Sequence, residues 1–303
     1  MTLKVAYIPE HFLTPLFFAK DNGYYSKAGV DVEFVPVIEG SGRLIKLLNE
    51  GMVDVAIGLT EAFVSDIGKG NNKINVVGTY VESPLCWAIS SGKNRDEITK
   101  AEDLAGKKIG VSRIGSGSYV MLYVLGLQLK FPTPYFSDFP VLSNFKNLRD
   151  AVNQKYVDED GKAVDADAFM WEHFTSKRYY DSGEIKKIGE IYTPWPSWVV
   201  TARKETDKEQ VRKFLDAVRE GIAYFLENPD AAVKHISTHL DYSADDAREW
   251  LKTVKFNEQI GKKEIDWERV VLNTTKVLKT AGVLEEKPEV DENLQNNIYS
   301  LVH

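Results

Sequence analysis

The feature that most constrains this chain is how quickly its hydrophobic period changes. Leu3-Lys4-Val5-Ala6-Tyr7-Ile8 reads as a strand closed by Pro9, and Leu16-Phe17-Phe18-Ala19-Lys20 starts a helix that Gly23 stops. Residues 31–37 are a second, β-branched strand. Gly40-Ser41-Gly42 then leads into a helix whose Leu44, Leu47 and Leu48 share one face and which ends at Gly51. Residues 53–59 read as a strand, Thr60 as the cap of the next helix, and residues 74–80 as another strand. Strands and helices joined by such short links predict a parallel sheet covered on both faces.

The rhythm restarts after Pro84. Strands are predicted over residues 85–91, 108–112, 167–171 and 185–191, and helices over 119–130, 144–154 and 173–180. This is a second α/β lobe, in keeping with a length of 303 residues, which suits two domains. Asp158-Glu159-Asp160-Gly161 lacks the later ligands and closing glutamate of a calcium loop and reads as a solvated turn. From Asp207 onward the strand signals stop. Residues 207–226, 229–240, 243–254 and 266–281 are amphipathic helices, with Asn228 and Ser243 placed as caps.

Charge and cysteine content narrow the function. Thirty-eight basic against 45 acidic side chains leave a net charge of −7, which disfavours nucleic acid and acidic lipid surfaces as partners. The single cysteine, Cys86, excludes an internal disulfide and a cysteine-clustered zinc site, and its apolar flanks Leu85 and Trp87 predict an inert buried thiol. No apolar run is long enough for a membrane helix, so no membrane insertion is expected. The opening MTLKVAYIPEHFL enters a strand directly, without an apolar segment behind a basic start. That predicts a cytoplasmic protein; the alternative is a periplasmic or secreted one whose signal peptide has been removed.

Several ordered motifs carry a family resemblance. Tyr7-Ile8-Pro9-Glu10-His11 is followed by Phe17-Phe18-Ala19-Lys20-Asp21-Asn22-Gly23-Tyr24-Tyr25 and Gly29-Val30-Asp31-Val32-Glu33. Later come Leu47-Leu48-Asn49-Glu50-Gly51-Met52-Val53-Asp54-Val55-Ala56 and Asp103-Leu104-Ala105-Gly106-Lys107-Lys108-Ile109-Gly110-Val111. Over roughly its first two hundred residues the chain resembles the nitrate-, sulfonate- and thiamine-precursor-binding proteins. The resemblance implies an α/β fold of the two-lobed type II periplasmic-binding-protein kind with a helical C-terminal tail, closing on a ligand like a hinge. It implies a discontinuous first lobe of residues 1–82 and 200–303, a second lobe of 83–199, and crossings near 81–90 and 194–203. Fungal thiamine-pyrimidine synthases are similar around His11, but they carry a CCCFC segment and a lysine for pyridoxal phosphate; here Cys86 stands alone. The expectation is therefore non-catalytic binding of a thiamine-type pyrimidine or sulfonate-like metabolite in an interlobe cleft, with no cofactor and no metal. The alternative is an enzyme of pyrimidine metabolism on the same fold. A protein partner that reads the closed state is a further expectation.

In open α/β sheets, ligands sit beyond the carboxyl ends of the strands. That rule selects His11 and Phe12, Gly40 and Ser41, and Thr60 and Glu61 in the first lobe, and Arg113, Ser116, Gly117, Ser118, Trp171 and Glu172 in the second. Gly115-Ser116-Gly117-Ser118 opens a helix, whose free N–H groups suit an anion or a ring acceptor, but it lacks the GKS or GKT ending of a nucleotide loop. Gly40-Ser41-Gly42 allows the same reading or an ordinary turn. His11 and Glu61 offer hydrogen bonds to ring nitrogens or an exocyclic amine. Trp195, held between Pro194 and Pro196, is expected to lie off the core and stack on a flat ligand, whereas Trp198 belongs to an apolar run. His235 and His239 have the spacing of a metal pair without HExxH and read as a surface helix, and no GxSxG elbow is present.

Overall fold

Residues 2–302 are described by the computed structural model, in which the alternating pattern becomes nine strands and twelve α-helices. First come β1 (Thr2–Tyr7), α1 (Thr14–Asp21), α2 (Tyr24–Ala28), β2 (Asp31–Pro36), α3 (Ser41–Asn49), β3 (Val55–Leu59), α4 (Thr60–Gly68) and β4 (Ile74–Val81). Next are β5 (Cys86–Gly92), β6 (Ile109–Gly110), α5 (Gly117–Gln128), α6 (Phe145–Val152), β7 (Ala168–Glu172), α7 (His173–Asp181) and β8 (Ile185–Tyr192). The chain finishes with β9 (Trp198–Arg203), α8 (Lys208–Glu227), α9 (Pro229–His239), α10 (Ala244–Leu251), α11 (Asn273–Thr280) and α12 (Pro288–Asn297). These elements form two compact units, one of Met1–Pro84 with Pro194–His303 and one of Leu85–Thr193.

In the first unit the sheet order is β2-β1-β3-β9-β4. β1 runs parallel to β2 and β3, with Thr2 opposite Asp31 and Val5 opposite Val55. The sheet is not purely parallel as the pattern predicts, because β9 is antiparallel to both β3 and β4. The reason is the path of the chain. It leaves this unit at Pro84, beyond the carboxyl end of β4, and Trp198, the first residue of β9, pairs with Leu59 and Val81 at the carboxyl ends of β3 and β4. A strand that starts at that edge must run back against its neighbours. The stretch expected as an extended crossing thus contains a strand inside the sheet.

β4 has all eight residues buried although it ends the strand order. The C-terminal segment covers it: Tyr299 N–H donates to the Val76 carbonyl at 3.0 Å and Leu301 N–H to that of Val77 at 3.2 Å. Such cover removes the exposed row of donors and acceptors that an edge strand presents. On the helical side, α8 buries Val211, Phe214, Leu215, Val218, Ile222 and Phe225 along one stripe and packs on α1 and α2. Gly221 permits the approach, since a Cβ there would lie 2.3 Å from the Pro15 carbonyl oxygen.

The second unit has the order β6-β7-β5-β8, with β6 parallel to β7 and β5 antiparallel to both β7 and β8. Leu142, Leu148, Ala151, Val152, Ala166, Phe169 and Ile185 form its core cluster. The strand expected over 108–112 shortens to Ile109–Gly110, extended only by single bridges to Asp138 and Val141. In the acidic turn Glu159, Asp160 and Gly161 are exposed and Asp158 is half-buried, its Oδ1 accepting the N–H groups of Asp160 and Lys162.

Two helix boundaries in the tail differ from expectation. The predicted 266–281 helix opens with a π-helical turn, Glu268–Leu272, before α11. Asn228 does not cap α9 with its side chain, because its Nδ2 donates back to the Tyr224 carbonyl at 2.9 Å in the last turn of α8. Ser243 does cap α10, accepting the Asp246 N–H at 3.0 Å. Among the described residues no helix is long and apolar enough to cross a membrane.

Candidate functional site

After β1 the chain tightens into a 3₁₀ turn, His11–Leu13, that buries both candidate side chains. The His11 ring lies 4.5 Å from Phe12, 4.4 Å from Tyr242 and 4.3 Å from Trp250, centroid to centroid. This apolar enclosure pushes the imidazole pKa down to about 3, so the ring is neutral at pH 7 and offers one donor and one acceptor. Phe12 packs against Trp198 and Trp250, and its carbonyl accepts the Tyr80 hydroxyl at 2.7 Å. Tyr242 and Trp250 complete this enclosure, and the sequence marks them only as two aromatics in a polar stretch.

The loop after β2 turns at Gly40, whose φ of +90° strains any residue with a Cβ. Ser41 then starts α3, and its Oγ accepts the Leu59 N–H at 3.1 Å, which ties this helix to the carboxyl end of β3. Thr60 is already the first helical residue of α4 and does not cap it. The cap position falls one residue earlier, at Leu59, which leaves the Thr60 hydroxyl to donate to the Pro196 carbonyl, while its N–H donates to the Ser197 carbonyl at 3.1 Å. Glu61 follows in the first turn of α4, where the helix dipole favours an acidic group.

Trp195 departs most from expectation. Its ring is 1% exposed, and Nε1 donates to Glu61 Oε2 at 3.0 Å, with Glu61 itself 1% exposed. The flanking prolines stiffen the segment but do not hold it off the core, because Glu61 supplies the acceptor that an indole needs when buried. The first unit therefore gathers Ser41, Thr60, Glu61 and Trp195 around the carboxyl end of β3, next to the aromatic enclosure of His11 and Phe12.

In the second unit, Ser116 caps α5, its Oγ accepting the Tyr119 N–H at 3.3 Å and lying 2.9 Å from Ser118 Oγ. Both serines are buried, Gly117 is half-buried as the first residue of α5, and Arg113 is exposed. Glu172 ends β7 and caps α7, its Oε2 accepting the Thr175 N–H at 2.7 Å. Burial raises its carboxyl pKa to about 7, against the lowering effect of the Thr175 and Phe174 hydrogen bonds. Trp171 is half-buried and stacked on Phe145 at 5.0 Å beside the core cluster, so one face of this ring is committed to packing. Because β6 and β7 are parallel, the Ser116 turn and Glu172 both follow the same edge of the sheet.

A further cluster stands outside every sequence-selected position. Cys86 Sγ, a His173 ring nitrogen and a Glu190 carboxylate oxygen lie within 4.8 Å of one another. Cys86 is half-buried, and burial pushes its thiol up to about 11. No signal could have found this group, since its members stand far apart in the chain and match no motif.

Comparison with known proteins places the whole chain. A family profile described as Ca3427-like PBP matches residues 87–191. The structure of the conserved CA3427 gene product of Candida albicans, described as defining a new family with the generic periplasmic binding protein structural fold, is 57% identical to this chain. It covers 98% of this chain and 96% of its own, with a TM-score of 0.91. The alkanesulfonate-binding protein SsuA of Xanthomonas axonopodis pv. citri, bound to MOPS, aligns over 96% of this chain and 97% of its own at 12% identity and a TM-score of 0.73. The aliphatic sulphonate-binding protein SsuA of Escherichia coli aligns over 98% and 91% at 14% identity and a TM-score of 0.71. At such identities these two share the fold alone. No curated protein sequence matches the chain.

Proposed function

Because the chain belongs to the Ca3427-like family of the periplasmic-binding-protein fold, we propose that it binds, without catalysis, a small polar or heteroaromatic metabolite of the thiamine-pyrimidine or sulfonate type. The observation that carries this reading is where the buried polar groups lie. His11, Ser41, Thr60 and Glu61 are each at most 7% exposed, and all four follow the carboxyl ends of strands in the first unit. Burying polar groups costs folding free energy unless they are satisfied, and Ser41, Thr60 and Glu61 are satisfied by hydrogen bonds with Leu59, Pro196 and Trp195 that fix the loops at this edge. Gathering them at the edge where open α/β sheets bind ligands favours a recognition role over a structural one. The neutral His11 ring and the Glu61 carboxyl suit ring nitrogens and an exocyclic amine, and the Ser116-capped start of α5 suits a sulfonate or ring acceptor. Sulfonate-type ligands gain support from two relatives of the same fold that are described as sulfonate-binding. Ligand-driven closure about the two crossings is part of the proposal, and small-angle scattering with and without ligand checks it.

Thermal-shift measurements against thiamine-type pyrimidines, alkanesulfonates including MOPS, and small anions test the reading. A ligand present at about 100 times its Kd adds about 2.7 kcal/mol of stability. One class is expected to raise the melting temperature in the wild type and to lose that effect in Ser116→Ala or His11→Gln. A panel without any shift refutes the proposal.

A further inference from the structure

The cluster in the second unit is built by sheet register. Cys86 opens β5 opposite Tyr192 of β8, and Ala88, two residues on, stands opposite Glu190. Side chains two apart in a strand share a face with their cross-strand partners, so Cys86, Glu190 and Tyr192 project from the same side of the sheet. On the other flank of β5, Trp87 pairs with Glu172, and His173 follows directly as the first residue of α7. Three elements thus deliver a sulfur, an imidazole nitrogen and a carboxylate oxygen to one place.

That place already attracts a cation. Lys187 Nζ donates to Glu190 Oε2 at 2.5 Å and lies 3.4 Å from His173 Nδ1, while the Tyr192 hydroxyl donates to Glu190 Oε1 at 3.0 Å. Lys187 is exposed, so its ammonium can leave towards solvent. We propose that Cys86, His173 and Glu190 form a binding site for a divalent transition-metal ion of the zinc type, with Lys187 as the competing internal cation. This inference does not rest on the ligand-binding reading.

The chemistry selects the ion. A thiolate ligand favours zinc-like ions over magnesium and calcium, which take oxygen donors, and three protein ligands leave a fourth tetrahedral position for water. Metal bonds of about 2.0–2.3 Å at tetrahedral angles require donor separations of about 3.3–3.6 Å. The cluster therefore closes by roughly 1 Å, a movement that side-chain torsions supply. Thiolate and carboxylate together balance the charge of a divalent ion. On binding, the Cys86 S–H bond breaks, an S–metal bond forms and the proton passes to solvent.

Titration of the reduced full-length chain with Co²⁺ tests the site, because a thiolate bound to cobalt gives a near-ultraviolet charge-transfer band. The expected result is saturation at one equivalent, bleaching by Zn²⁺ and no effect of Mg²⁺. Cys86→Ser should abolish the band, and His173→Ala or Glu190→Gln should weaken binding by about tenfold or more. Lys187→Met, an exposed change that leaves the fold intact by circular dichroism, should tighten binding by removing the competitor. Absence of the charge-transfer band in the wild type, or Co²⁺ affinity unchanged by both Cys86→Ser and Lys187→Met, overturns the proposal.

Discussion

His11 gives a stability signature that follows directly from its enclosure. The ring is 1% exposed among Phe12, Tyr242 and Trp250, and burial holds its pKa at about 3, against 6.5 for an unperturbed histidine. The unfolded chain takes up a proton that the folded chain refuses. The stability linked to His11 is therefore complete above pH 6.5 and is lost as the pH falls towards 3. With these two pKa values, linkage gives a loss of about 2 kcal/mol at pH 5 and almost none at pH 7.5. His11→Gln removes the titrating ring, and its change in packing shifts stability by the same amount at every pH. Urea unfolding of both proteins between pH 5 and 7.5, followed by tryptophan fluorescence to which Trp250 contributes, isolates the effect. Other titrating groups are common to both chains and cancel in the difference. The wild type should lose about 2 kcal/mol relative to the variant on going from pH 7.5 to pH 5. Parallel stability profiles would falsify the claim that His11 is held neutral by burial.

The Trp195–Glu61 hydrogen bond, 3.0 Å long and buried at both ends, should give a coupling of about 1–3 kcal/mol in a double-mutant cycle of Trp195→Phe and Glu61→Gln. Coupling near zero by urea unfolding would mean the two side chains act independently. In the second unit, a Cβ at Gly92 would meet the Val152 carbonyl oxygen at 2.1 Å, whereas one at Gly78 in the first unit has only Ile260 at 3.6 Å. Gly92→Ala should therefore destabilise by about 1–3 kcal/mol through overpacking while Gly78→Ala stays near neutral, and equal melting temperatures for the two variants would refute the contrast.

Local rules were legible where neighbouring residues carry them. The alternation over the first eighty residues appears as β1 to β4 with their helices, and Ser243 caps α10 because a cap needs only its own next turn. Thr60 and Asn228 have the same chemistry but do not cap: α4 begins one residue earlier than a Thr60 cap requires, and the Asn228 amide turns back to the Tyr224 carbonyl four residues before it. Position after a strand marks the candidate residues in the sequence. Their environments were not legible: the enclosure of His11 by Tyr242 and Trp250 depends on helices more than two hundred residues away.

The amino-acid sequence by itself determined the α/β class, the order of β1 to β8 and the helical character of the chain after Asp207, because hydrophobic period is a property of adjacent residues. Tertiary structure alone decided the direction of β9, the burial of Trp195 against Glu61, and the meeting of Cys86, His173 and Glu190. Each of these depends on which edge of a sheet the chain leaves and re-enters. That choice is made by long-range pairing and packing, whose free energy appears only when distant segments close on one another.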